Sequence, residues 1–311
     1  MTSPVVAAYD PQSQDAGPVR FALAAARFGG APLLVVSVCA VPVGGEYPVP
    51  PEPDLRPEAE TALSALEAGL EAGEVQITTR AVRGTSAPGA LHKIAEREDA
   101  ALLVVGSTDR GAAGRVLPGS TAERLMHGAP CPIAVVPHEW TEGGGLRTIG
   151  VAYVDTDEGR NALRGAHALA RRAGATLRVL TVARVGAGAH AETSAPGPGR
   201  PGKDFDAVVG EHRARAESAV REVVSRLEGD VPVEVDAFLE DPADVLIGLS
   251  EHLDLLVCGS RGYGPLRAVM LGGVTRRVGA AAHCPVLVLP RGVELEFDGA
   301  EPARVAHGSA A

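Results

Sequence analysis

The chain has 311 residues, which is enough for two domains of about 150 residues, each with its own core. Hydrophobic residues make up 45% of it and aromatic residues only 3%, so the cores must consist mainly of Val, Leu, Ala and Ile. That composition suits helices packed on a buried parallel sheet. The net charge is −10 and there is no basic run, so we expect neither nucleic acid nor an anionic membrane as partner.

The N-terminal segment and the cysteines favour a cytoplasmic protein. Met1–Val6 has no basic stretch followed by an apolar one, so no signal peptide is expected. No apolar run approaches the roughly 18 residues that cross a bilayer. The cysteines form no Cys-x-x-Cys pair and lie in or beside apolar runs, which favours buried thiols over a metal or redox site. They are Cys39, Cys131, Cys258 and Cys284.

Both halves of the chain alternate short β-branched runs with helical patterns, which predicts βαβ units. We predict a parallel sheet in each half; if its strand order is 3-2-1-4-5, strands 1 and 4 are neighbours at the switch point. Helical spacing is clearest from Ala162 to Ala173 and from Ala216 to Leu227. The predicted strands are Pro4–Tyr9, Pro32–Cys39, Val75–Val82, Ala101–Val105, Pro132–Pro137, Thr148–Val154, Thr176–Ala183, Val231–Leu239, Leu253–Cys258 and Pro285–Pro290.

Segments rich in Pro and Gly divide this pattern. Val41–Pro57 and Gly186–Gly202 follow the second strand of each half and are predicted to be loops over the carboxyl edge of the sheet. Glu139–Arg147 is the predicted linker. The predicted organisation is therefore a first domain at 1–138, a linker at 139–147, a second domain at 148–291 and a polar tail at 292–311.

One segment occurs twice. Leu102–Pro137 aligns without a gap with Leu255–Pro290, 153 residues later, and 14 of the 36 positions are identical. A repeat of this size is a whole domain, so one fold is present in two copies. The last strand of each copy would lie at a sheet edge, which has to be covered or paired.

The second copy carries a glycine pattern between its fourth strand and the next helix. Glycines at a strand end and a helix start let backbone N–H groups approach an anion, and the helix dipole adds attraction. Asp155, just past the first strand, would face Gly259 and accept hydrogen bonds from an adenine amino group or a ribose hydroxyl. Glycine-rich turns are common, so a structural role stays open. Neither a P-loop nor a Gly-x-Gly-x-x-Gly turn occurs.

The pattern Gly259-x2-Gly262-x9-Gly272 resembles the Gly-x2-Gly-x9-Gly-Ser/Thr motif of ATP-binding universal stress proteins. The resemblance covers nearly the whole chain in two copies. It implies an α/β fold of two tandem flavodoxin-like (Rossmann-like) domains, each a five-stranded parallel sheet in the order 3-2-1-4-5 with helices on both faces. It implies ATP or another adenine nucleotide, with or without Mg, and pairing of the two edge strands as an intramolecular pseudo-dimer; a homodimer stays open. The residues that the resemblance places at the nucleotide, together with Thr275 near the helix start, are Asp155, Val182, Gly259, Ser260, Gly262, Gly272, Gly273 and Thr275.

Each copy departs from the motif. Gly273 stands where the family has Ser or Thr, which removes a hydroxyl ligand worth roughly 0.5–1.5 kcal/mol unless Thr275 compensates. In the first copy Asp109 replaces the second glycine and would repel phosphate, and the turn Pro11–Pro18 is expected to be one residue longer than its counterpart. Ser120 is expected to be a helix cap. The predicted degenerate site comprises Asp10, Val38, Gly106, Asp109, Gly119 and Ser120.

These observations predict a universal stress protein that binds an adenine nucleotide in its second domain and acts as a stress-response sensor or interaction switch. We expect no enzyme, because the chain shows no nucleophile motif and no general base near the glycines. Two alternatives remain open: a structural or partner-binding protein without nucleotide, and, with less support, a slow ATPase or nucleotide-dependent transferase.

Overall fold

The computed structural model describes residues 3–40, 54–107, 121–126, 128–182, 205–260, 273–293 and 295. It places a strand at every position predicted above; the predicted end of the seventh strand at Ala183, most of the first predicted loop and all of the second lie outside these residues. The strands are β1 Val5–Ala8, β2 Leu33–Ala40, β3 Ile77–Gly84, β4 Leu102–Gly106, β5 Ile133–Val136, β6 Thr148–Tyr153, β7 Thr176–Val182, β8 Val233–Phe238, β9 Leu255–Gly259 and β10 Val286–Leu289.

Helices connect these strands. Within the described residues they are α1 Gly17–Gly29, α2 Arg56–Ala68, α3 Ala87–Arg97, α4 Thr121–Met126, α5 Asp157–Ala173, α6 Phe205–Val224, α7 Pro242–Leu249 with a 3-10 turn at Ser250–His252, and α8 Gly273–Ala281. In that part of the chain, no helix combines the length and the apolar character that a membrane span requires.

All ten strands form one sheet, in the order β3-β2-β1-β4-β5-β10-β9-β6-β7-β8. Each half has the predicted order 3-2-1-4-5 with parallel pairs, so the predicted fold class is confirmed. The two halves meet where β5 and β10 pair antiparallel, with Val135 opposite Val286 and Ala134 opposite Leu287. Each of these strands therefore covers the edge of the other.

The core forms two layers, one on each face of the sheet, and both layers run through the two halves. One contains the buried faces of α1, α2, α5 and α6, and the other those of α3, α4, α7 and α8. Both β5 and β10 are buried along their whole length, because helices cover both faces of the sheet. Each fully buried aliphatic side chain contributes about 1.5–3 kcal/mol.

Contacts outside the sheet also join the halves. Arg172 of α5 donates hydrogen bonds to the backbone carbonyl of Phe28 at the end of α1, at 2.8 and 3.1 Å, and its guanidinium lies over the Phe28 ring. The Trp140 ring packs edge-on against Phe21 of α1. The halves are thus held together on the α1 and α5 side as well as through β5 and β10.

The turn after the first strand differs between the copies more than the sequence suggested. Residues 9–16 separate β1 from α1, whereas only 154–156 separate β6 from α5, so the expected difference of one residue is wrong. Both helices end at a left-handed glycine, Gly30 or Gly174, and each glycine lies three residues before the matching strand positions Leu33 and Leu177. The first copy thus lacks the first turn of the helix. Pro18 lies in the first turn of α1, where the missing N–H costs nothing.

All four cysteines are buried and free. Burial raises the pKa of the thiols of Cys131, Cys258 and Cys284 to about 12. Since the thiolate is the reactive form, these side chains act as small apolar core residues, as expected from their apolar surroundings.

The antiparallel pair between β5 and β10 gives a first testable expectation. Ala134 is fully buried opposite Leu287, so Ala134→Glu places a carboxylate in the apolar seam and should cost about 3 kcal/mol or more. Thr78→Glu, at an exposed position of the outer strand β3, is the control and should change the stability by less than about 0.5 kcal/mol. Urea unfolding measures both, and equal effects would contradict a stabilising seam.

His167 of α5 gives a second expectation, for stability against pH. It is buried, and burial together with the charge of Arg171 lowers its pKa. The unfolded chain therefore takes up a proton near the ordinary pKa while the folded one does not, so stability should fall as the pH drops below about 6.5. His167→Leu installs the residue that α1 carries two turns before its own terminal glycine, Leu23.

Urea unfolding at pH 7.5 and pH 5.5 tests this. His167→Leu should reduce the loss of stability between the two pH values, whereas His252→Gln, at an exposed position, should leave that loss unchanged. The same loss in wild type and His167→Leu would refute the assignment.

Candidate functional site

The strand order of the second half reverses between β6 and β9, and the carboxyl ends of these two strands lie side by side. The strands pair directly, with Ala152 opposite Cys258, and the sheet then continues to β7 on one side and β10 on the other. Ligands of open α/β sheets bind at such a switch point. The structure brings four predicted residues to this edge: Asp155, Val182, Gly259 and Ser260.

Asp155 lies just past β6 with its side chain 71% exposed. Its Oδ1 accepts hydrogen bonds from the Tyr153 hydroxyl, at 3.2 Å, and from Arg160, which also donates to Asp157 at 2.8 Å. Burial and the Asp155 charge raise the pKa of Tyr153, which keeps its hydroxyl protonated as a donor. The Asp155 carboxylate is therefore oriented by these two donors and remains open to solvent. The sequence pattern gave no signal for Tyr153 or Arg160.

Gly259 is required by the packing of α5. A Cβ at this position would lie 2.7 Å from the carbonyl oxygen of Glu158, in the first turn of α5. Gly159 is even more restricted, because its Cβ would lie 1.9 Å from the carbonyl oxygen of Val154. The hydroxyl of Thr156 caps this turn by accepting from the Gly159 N–H. Both glycines thus serve the close approach of α5 to the sheet, and a phosphate contact at Gly259 stays a prediction.

Ser260 is the most unusual side chain at this edge. Leu256 and Cys258 of β9 face the core layer of α7 and α8, and Ser260 continues that alternation. It is 1% exposed, and its Oγ has no hydrogen-bond partner among the residues that the structure describes. Its backbone N–H donates to the carbonyl of Leu289. Leaving a buried hydroxyl without a hydrogen-bond partner costs about 1–3 kcal/mol, so we expect the Ser260 Oγ to bind one.

Helix α8 begins on the same face of the sheet as Ser260. Gly273 is its first residue and is exposed, with no described atom within 4 Å of a Cβ built there. Thr275 in the first turn is buried. Five predicted residues lie outside the described part of the chain, so their placement stays untested: Gly262, Gly272, Asp109, Gly119 and Ser120.

In the first copy the acidic residue is one position out of register. Val5 pairs with Leu102, and the matching pair in the second copy is Ile149 with Leu255. Counting from these pairs, Asp10 matches Val154, and a proline, Pro11, occupies the position of Asp155.

The first copy also uses these residues differently. The Asp10 carboxylate accepts the N–H of Gln12 at 2.9 Å, inside the long turn. Val38 lies in β2, and Gly106 ends β4 with Pro18 3.1 Å from its built Cβ. The equivalence of Asp10 and Asp155 is therefore corrected.

A groove of about 440 Å³ opens beside Asp155 between α5 and α6. Its apolar floor includes Leu163 and Val223, and several charged side chains line its rim. Arg226 on that rim pairs with Glu222 at 2.7 Å, and Arg160 pairs with Asp155, so these charges are balanced within the chain. No pattern in the sequence indicates this groove.

One Ser–His–Glu cluster lies away from the glycines. The Ser250 hydroxyl donates to the carbonyl of Ile247 at 2.6 Å and accepts the backbone N–H of His283 at 2.9 Å. The Glu251 Oε1 lies 3.7 Å from Nε2 of the His283 ring. Ser250 is 1% exposed and fully engaged, so it links α7 to the end of α8 and is no nucleophile. Among the described residues no cluster of His, Cys, Asp and Glu could hold a metal ion.

Comparison with known proteins agrees with this architecture. Universal stress protein Rv2319c of Mycobacterium tuberculosis is 31% identical over 252 residues, covering 75% of this chain and 77% of the relative. Universal stress protein Rv2005c of the same organism is 29% identical over 210 residues, covering 61% and 62%. The crystal structure of a universal stress protein from Archaeoglobus fulgidus shares the fold, with a TM-score of 0.64 at 17% identity over 93% of this chain and 96% of that one.

The family model described as the universal stress protein family matches the chain twice, at residues 1–137 and 145–290. The two matches coincide with the two halves of the ten-stranded sheet. The chain therefore belongs to the universal stress protein family.

Proposed function

We propose that the second copy binds ATP or another adenine nucleotide reversibly, and that the protein acts as a stress-response sensor or interaction switch in the cytoplasm. The observation that carries this proposal is the buried hydroxyl of Ser260 at the switch point of the sheet, which has no hydrogen-bond partner within the described part of the chain. A phosphate oxygen, which accepts hydrogen bonds, would satisfy it.

The adenine or ribose end is assigned to the rim formed by Asp155 and Val182. Asp155 offers an exposed carboxylate that can accept from an amino group or hydroxyl. Val154 beside it is 50% exposed, which gives the base an apolar surface. Val182 ends β7, the neighbouring strand, and its backbone is at the same edge. In the first copy Asp10 and Pro11 occupy the positions of Val154 and Asp155, so this rim is absent there.

The phosphate end is assigned to Ser260 and the first turn of α8. The N–H groups of that turn have no intrahelical acceptor, and the dipole of the helix favours negative charge. Gly262 and Gly272 complete the motif in sequence. The family hydroxyl missing at Gly273 is replaced in this assignment by the hydroxyls of Ser260 and Thr275. Mg would bind through the phosphates.

A structural protein without nucleotide is the second candidate. It is favoured by the finding that Gly259 and Gly159 are already required by the packing of α5. We propose no catalytic activity, since the described side chains at the switch point offer no general base besides Asp155, which is assigned to the adenine or ribose end. If the protein were a slow ATPase, repeated turnover of ATP would be measured, and a single substitution would abolish it.

Titration of the full chain with ATP by calorimetry tests the proposal. We expect binding with one site per chain and, at millimolar ATP, a rise in melting temperature. Gly262→Asp installs the residue that the first copy has as Asp109, and should abolish binding through charge repulsion and the added side chain. Asp109→Gly is the matched control and should leave the affinity unchanged. Absence of heat and of a thermal shift would eliminate nucleotide binding in favour of the structural role.

Restoring the family hydroxyl gives a further expectation. Gly273→Ser adds a donor at the start of α8, where a Cβ meets no described atom, and should tighten ATP binding by about 2- to 10-fold. Gly248→Ser is the control, because Gly248 is also a helix glycine with open space around it. Unchanged affinity in Gly273→Ser would show that the phosphates lie elsewhere.

A further inference from the structure

We propose that Arg277 is a positioning residue of the nucleotide site: it ties α8 to the start of α7 and thereby holds the first turn of α8 in place for the phosphates. This inference rests on the proposed nucleotide binding. Arg277 itself lies one helical turn beyond Gly273. It acts through the helix and is assigned no contact with the ligand.

The contact is a fork between one guanidinium and two carboxylates. Arg277 Nη1 donates to Asp241 Oδ1 at 2.7 Å, and Nη2 donates to Asp244 Oδ1. The planar guanidinium fixes the direction of both bonds, which a flexible ammonium would not. The first half of α8 is therefore connected to a defined point on α7.

Asp241 has a second task that fixes its own position. It is the N-cap of α7 and accepts the N–H groups of Ala243, at 3.0 Å, and Asp244, at 3.3 Å. Burial alone would raise the pKa of Asp241, but these bonds and Arg277 outweigh it and lower the pKa. The carboxylate is therefore ionised at neutral pH, and Arg277 is anchored to a rigid helix start.

The apolar anchoring of α8 is small, which gives the fork its importance. The buried residues of the helix are Thr275, Val278 and Gly279, and Val274 in its first turn is partly buried against the same core layer. The far end is held by the bond from the His283 N–H to the Ser250 hydroxyl. The start of α8 has Arg277 as its corresponding polar attachment.

The first copy has the same arginine without its acceptors. Arg124 occupies the position of Arg277 in the gapless repeat. The helix that corresponds to α7 is α3, with Ser86 as its N-cap and Gly89 three residues further on, where α7 has Asp241 and Asp244. The two carboxylates are thus particular to the copy that keeps the glycine motif.

The test is ATP titration of the full chain, with variants that separate positioning from charge. Arg277→Gln and the double variant Asp241→Asn/Asp244→Asn should each weaken ATP binding about three- to tenfold. Asn is a good N-cap, so the double variant keeps α7 intact. Arg277→Lys should recover part of the affinity. Arg276→Gln removes the same charge one residue away and, like Arg124→Gln, should change the affinity less than about twofold.

The direction in which the double variant changes the ATP affinity distinguishes a positioning role from direct phosphate contact. Tighter binding in Asp241→Asn/Asp244→Asn would mean that the released Arg277 contacts phosphate itself, and would overturn the positioning role. Equal weakening in Arg276→Gln and Arg277→Gln would overturn it too, in favour of a general charge effect. If wild type binds ATP and none of these variants differs, this inference fails alone; if wild type does not bind, the proposed function fails first.

A readout without ligand completes the test. Amide hydrogen exchange in residues 277–280, whose N–H groups bond to the carbonyl groups of the first turn of α8, should be faster in Arg277→Gln than in wild type and unchanged in Arg276→Gln, because the fork restrains the start of the helix. Unchanged exchange in Arg277→Gln would show that the helix start is held by other contacts and would contradict the proposal.

Discussion

The antiparallel pairing of β5 with β10 is the contact on which the rest of the structure depends. A parallel sheet that ends in a fully aliphatic strand leaves backbone groups and apolar side chains uncovered at that edge. Because the domain is duplicated, the chain has two such edges. Pairing β5 with β10 covers both edges, because each strand becomes the neighbour of the other. The helices of both halves can then form continuous layers on each face. The linker and Arg172 hold this arrangement on one side.

Within that symmetric frame, the copies differ at the first helix. In the second copy Thr156 caps a helix turn that lies against β9, and this brings Glu158 next to Gly259. The first copy replaces that turn with residues 9–16, and Pro18 takes its place against Gly106. One local change in helix start therefore alters the rim, the acidic residue and the surroundings of the glycine together. The asymmetry lies in backbone path as much as in the glycine motif.

The sequence predicted the ten strands because aliphatic periodicity and the repeat report directly on burial, whereas the strand order followed from the family resemblance. It failed at the turn after β1, because comparing turn lengths assumes that both helices start at the same point. Only the strand register shows that Asp10 matches Val154. The ion pairs of Arg160 and Arg277 could not be predicted either, because their acceptors depend on side-chain directions and, for Arg277, on a helix 33 residues away in sequence.

A glycine that a fold requires and a glycine that a phosphate requires look the same in sequence. Gly259 illustrates this, since its lack of a side chain is already explained by the carbonyl of Glu158. A polar atom is more informative, because burying it without a partner costs free energy that packing does not return. The Ser260 Oγ is such an atom, since none of the described residues bonds to it, and it lies on the face where α8 begins. Nucleotide binding therefore rests more firmly on that hydroxyl than on the glycines around it.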